Sequence, residues 1–199
     1  MKYELDEKYK LIKNELLNST SSNPIEIVNE IMNKEYVNIH GPEHHFLDGG
    51  AFMTAFYNSK GLKVSKEQLD ELELRAKKMP GAMCGQWGVC GAVASLGASL
   101  AIINKTGPLT DNDYYKDNME YTSQVLEVMS KIGGPRCCKR NAFLAISLVV
   151  KFVDRKYNVK MICNDIKCQY SHKNLQCIKE NVHFTNKKIS QLRDFICLI

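Results

Sequence analysis

The chain has 199 residues, a net charge of +5 and a composition that is 44% hydrophobic and 25% charged. That length buries a sizeable core without a metal or disulfide, and the balance excludes large-scale disorder. The mild basic bias favours anionic partners, but no aromatic interleaving or reader motif accompanies it, so no nucleic-acid interface is expected.

The first residues, MKYELDEKYKLIKNELL, are charged throughout and hold no apolar signal core, so a cytoplasmic location is expected. The eight cysteines then face a reducing setting, where clustered cysteines bind metals or do redox chemistry more often than they build disulfide frameworks. Helical periodicity recurs while strand signals are scarce. The pattern predicts an all-α fold, a compact bundle of about six to seven helices with a small irregular cysteine-rich C-terminal module.

In chain order, residues 5–18 form a first helix with Leu5, Leu11, Ile12 and Leu16 or Leu17 on one stripe. Asn23-Pro24 starts a second helix that carries Ile25, Ile27, Val28 and Ile31. A third begins at GPEHHF with Pro42 in its first turn and stops at Gly61. Ser65 with Glu67 or Gln68 gives a capping signal for a fourth helix over 65–79, ended by Pro80-Gly81. Residues 88–104 form a small-residue helix with Cys90 inside it. The uncharged run from Met83 to Asn104 approaches bilayer length, yet its Gly, Ala and Ser content marks a buried packing helix rather than a membrane span. Further helices cover about 110–131 and the apolar segment NAFLAISLVVKFVDRKY, and a short last one covers 186–196. These readings divide the chain into a helical extension over 1–35, a helical core domain over 36–157 and a cysteine-rich module with its tail over 158–199.

Three segments share one design, a Gly or Pro break followed by a nucleophile or ligand at a helix start: HGPEHH, PGAMCGQWGVCGA and GGPRCC. Helix N-termini favour thiolate and neutral imidazole, the forms that bind metals. Cys84 and Cys90 would stand about 240° apart on one continuous helix, so they meet only if Gly85 and Gly88 hold Cys84 in a loop. His44 and His45 point about 100° apart, so one serves as ligand while the other supports it, and Asp48 is spaced to orient His44. Cys137 and Cys138 sit beside Arg136, Lys139 and Arg140, whose charge favours thiolate and would neutralise a bound group. Adjacent cysteines rarely pair with each other, because the eight-membered ring strains the peptide. The pair therefore reads as metal or cluster ligands, as catalytic thiols, or as plain core residues. Cys163, Cys168, Cys177 and His183 carry the atom types of a zinc site without the spacing of a standard finger.

Together GPEHH, PGAMCGQWGVCGA, GGPRCCKR and CQYSHKNLQC resemble an uncharacterised family of cysteine-rich helical domains from anaerobic bacteria and methanogenic archaea. There the domain occurs alone or behind S-adenosylmethionine-dependent methyltransferases, and the similarity covers roughly 36–184. The family's Cys-x-x-Ser-x-x-Asn-x-x-Cys run is kept here as Cys168, Ser171, Asn174 and Cys177, while the cysteine that follows it is missing. A looser similarity ties CGAVASLGASLAII to proteins described as redox-active and named for a C…GCAxxG…C…C pattern. The residues themselves point to an iron–sulfur cluster or zinc held by Cys84, Cys90, Cys137 and Cys138 with His44 or His45, and the anaerobic setting of the resembled family tilts this toward iron–sulfur; the resemblance by itself implies no settled activity. The methyltransferase fusions of the resembled family imply a methyltransferase or redox partner protein, since the chain has no glycine-rich nucleotide-binding turn of its own. Two other readings stand beside this one: a zinc-stabilised accessory module without chemistry, and a thiol enzyme using Cys137 or Cys138 with a histidine base.

Overall fold

Each helix follows from a local signal. The computed structural model describes residues 3–179, with α1 over Leu5–Asn18, α2 over Pro24–Met32, α3 over His44–Ser59 and α4 over Lys66–Lys77. A single turn, α5, covers Met83–Gln86, and α6 (Gly91–Ile103), α7 (Asp113–Ile132) and α8 (Cys138–Tyr157) complete the bundle. There are no strands among the described residues, as the periodicity predicts. The expected last helix over 186–196 and the candidate ligand His183 lie outside the described residues.

Tyr9, Ile12 and Leu16 recur at helical spacing and give α1 one fully buried face. Asn23 caps α2 by accepting the Ile25 N–H at 3.1 Å, with Pro24 at the position where a missing N–H costs nothing. At α4 the Ser65 and Gln68 side chains each accept the other's backbone N–H, the reciprocal box the sequence signals.

Two starts differ from expectation. Pro42 and Glu43 stay in a tight turn, with His45 N–H bonded to the Pro42 carbonyl at 2.9 Å, so α3 begins only at His44. Cys90 is extended rather than helical, because Gly88 takes a left-handed φ of 70° and turns the chain just before it. Cys90 thereby becomes the N-cap of α6.

The core is one apolar cluster that runs from Tyr9 in α1 to Tyr170 beyond α8, crossing residue 35 without a break. At its centre α3 packs on α6, where small residues allow a close crossing. Gly49 N–H donates to Ser95 Oγ at 2.9 Å, and Ser99 Oγ turns back to the Ser95 carbonyl at 2.9 Å. That crossing explains the small-residue composition of α6, and no helix among the described residues is long and apolar enough to cross a membrane. After α8, residues 158–178 carry no helix or strand. They are pinned by buried Ile166 and by Tyr170, whose ring stacks on Phe143 at 6.3 Å.

Candidate functional site

The starts of α3, α6 and α8 face a common cavity of about 270 Å³, with α5 forming another wall. His44, His45 and Asp48 come from the first segment, Cys84 and Cys90 from the second, and Arg136, Cys137 and Cys138 from the third. The three glycine- or proline-led corners thus meet at one place, and three helix N-termini lend it a positive field.

The sulfur atoms are held by N–H donors. Cys137 is the N-cap of α8, and its Sγ accepts the Arg140 N–H and an Asn174 side-chain N–H, each at 3.4 Å. Cys90 Sγ accepts from Asn141 Nδ2 at 3.3 Å. Cys138 receives the Gly41 N–H. Oxygen-bearing side chains are the usual N-caps, so Cys137 capping α8 at the edge of the cavity, with Cys90 at the N-cap position of α6, places sulfur where capping alone would select Ser, Thr, Asp or Asn.

The expected thiolates are not found at Cys138 and Cys90. Burial pushes the Cys138 thiol up to about 12, with Asp48 and the neighbouring thiols adding to it and the Gly41 N–H opposing. Burial raises Cys90 as well, against the donors it accepts. The cations that should offset this are committed elsewhere. Arg140 donates to the Gly133 and Pro135 carbonyls at 3.1 and 3.2 Å, so its guanidinium buckles the loop instead of facing a ligand. Lys139 is fully buried, with Nζ 3.4 Å from the Met32 carbonyl and 5.0 Å above the Tyr170 ring. Burial lowers its pKa to about 8. Only Arg136 is left at the exposed rim.

The two neighbouring histidines have different fates. His44 Nε2 lies 3.2 Å from the Asn38 carbonyl, an acceptor only, so this nitrogen carries the hydrogen. Nδ1 faces Asp48 Oδ1 at 3.4 Å, and a proton must sit between them because a bare lone pair would repel a carboxylate. Both nitrogens of His44 are therefore spent within the protein. His45 makes one hydrogen bond, from Nδ1 to the Met79 carbonyl at 3.3 Å, which leaves its lone pair on Nε2. Burial lowers the His45 pKa and keeps the ring neutral. A Cβ at Gly91 would overlap the His45 ring, so glycine is required where α6 begins. Asp48 is wholly buried with Oδ2 unpartnered, and burial raises its pKa.

Three contributors escaped the sequence reading. His40 lines the cavity, and Asn38 and Asn141 bond its functional atoms. No periodicity marks them, because each lies in a loop or serves a partner distant in the chain. Ser171 and the Cys168, Asn174 and Cys177 run acquire a meaning nevertheless: Asn174 reaches Cys137, and Cys168 lies within electrostatic reach of both Cys137 and Cys177. Cys163 stands apart, beside Ser147 and Lys151 of α8.

Soft thiols, a neutral imidazole and an orphaned carboxylate oxygen are the donor chemistry of zinc or an iron–sulfur cluster. Among the described residues, however, no three His, Cys, Asp or Glu side chains already surround one point where an ion would sit. The donors occupy separate walls of the cavity.

Fold and site together define a class, a helical bundle with a thiol- and imidazole-lined cavity at converging helix starts. The chain belongs to the family of unknown function DUF5714, whose model matches residues 12–185. No curated protein and no solved structure matches it.

Proposed function

We propose that the cavity is a soft-metal centre, zinc or an iron–sulfur cluster, with Cys84, Cys90, Cys137, Cys138 and His45 as the residues that would hold it. The observation that carries this reading is the convergence of three separate corners, each bringing sulfur or imidazole, on one small cavity. N–H groups aimed at Cys90, Cys137 and Cys138 support it, since such donors stabilise metal-bound thiolates and tune cluster potentials. Buried thiols stay protonated until a cation arrives, so loading releases protons and tightens as pH rises. Arg136 at the rim offsets thiolate or substrate charge, and the role is redox or sulfur handling beside a methyltransferase or redox partner. The anaerobic setting implied by the resemblance favours iron–sulfur over zinc.

Metal analysis and visible absorption of protein purified without oxygen test this. The expected result is stoichiometric zinc, or iron and sulfide with a brown colour. A folded, colourless preparation that takes up neither overturns it. The non-catalytic accessory reading draws on the separation of the donors on different walls. It predicts zinc uptake without any redox response.

A further inference from the structure

His44 shows how a structural histidine is treated in this cavity: both of its nitrogens find protein partners. His40, on the loop before α3, is treated differently. Its Nε2 lies 3.1 Å from Asn174 Oδ1, while its Nδ1 is buried without any partner. The orientation of the Asn174 amide is fixed from both ends, since Oδ1 also accepts the Gln176 N–H at 3.0 Å and Nδ2 donates to Cys137 Sγ at 3.4 Å. An oxygen therefore faces the His40 ring, Nε2 must carry the hydrogen, and the lone pair sits on Nδ1.

We propose that His40 is a further binding residue of the cavity and that Asn174 positions it, so that the C-terminal segment completes the site instead of forming a separate metal module. This rests on the soft-metal reading above. A ring that donates from one nitrogen to a fixed oxygen and keeps the other bare is the arrangement of ligand histidines. His45 is built the same way, with Met79 in the place of Asn174. The group that His40 takes is a borderline cation such as Zn²⁺ or Fe²⁺. Asn174 is 7% exposed and holds Cys137 and His40 at once, so one side chain aligns a sulfur and an imidazole from two different corners. This is a use for the Asn of the Cys168 to Cys177 run that spacing alone does not reveal.

The test combines zinc affinity, measured by chelator competition, with ¹⁵N spectra of the imidazoles in the full chain. Wild type is expected to hold His40 as the Nε2–H tautomer, and zinc should shift its Nδ1 resonance. His40→Ala should weaken zinc binding about 10–100-fold, the range typical of losing a support or ligand of a metal site. Asn174→Ala should weaken it about 10-fold and release the tautomer, whereas Asn174→Asp, which keeps an acceptor for Nε2 but replaces the donor to Cys137 with an oxygen, should keep the tautomer while still weakening zinc binding. The spectra of wild type need no variant to fold. Zinc bound by wild type with the His40 Nδ1 unmoved and His40→Ala unimpaired overturns this inference and leaves the metal reading standing. A wild type that binds no zinc or iron overturns both.

Discussion

At the scale of single residues, burial outweighs charge in this cavity. The Arg136-Cys137-Cys138-Lys139-Arg140 run reads in sequence as an activated thiol pair, yet desolvation decides the state of Cys138 and Lys139 alike. Lys139 gives the measurable consequence. Its folded pKa of about 8 lies below the ordinary 10.5, so the unfolded chain binds more protons between those values. Stability is thus lost as pH falls from 10.5 toward 8, and from pH 8 to 9 this group adds about 1 kcal/mol as pH rises. Lys139→Met should remove that rise when urea melts at pH 7, 8 and 9 are compared with wild type, and should be more stable at pH 7. An unchanged slope would show that the ammonium is adequately solvated. What the sequence could show here was residue type. Which of His44 and His45 keeps a free nitrogen depends on Asn38, Asp48 and Met79, contacts that no spacing rule contains.

Elements were more legible, because their signals are local. The Asn23 cap, the Ser65 box and the stop at left-handed Gly61 all stand where the sequence places them. The helix starts that border the cavity were displaced, at His44 and Gly91, since turn residues and an extended Cys90 took positions that periodicity assigned to helix. The α3 and α6 crossing is the element on which the site depends. A Cβ at Gly49 would lie 2.6 Å from Ser95 Oγ and 2.7 Å from the Ser95 carbonyl, and the latter is backbone that cannot swing aside. Gly49→Ala should therefore cost about 1–3 kcal/mol by overpacking. For a chain of this size each kcal/mol lowers Tm by roughly 2–4 °C. Calorimetry showing no loss would mean that the two helices can separate freely.

Across the whole molecule, the shared design of the three corners was visible in sequence, but their meeting was not, because it depends on how α3, α6 and α8 pack. The C-terminal module was recognisable as irregular. It is attached through Tyr170, Ile166 and Asn174, with Cys163 beside Ser147 and Lys151 and Cys168 within electrostatic reach of Cys137 and Cys177. Fold and site are thus one construction: a core crossing sets the angle of three helices, their starts enclose a cavity, and a late loop fixes Cys137 and His40 against it. X-ray absorption at the metal edge of protein loaded without oxygen tests this most directly. Sulfur together with imidazole nitrogen around the metal is predicted, with loss of sulfur scattering in Cys90→Ser and Cys138→Ser. A metal surrounded by oxygen alone, or a spectrum unchanged in both variants, would contradict it.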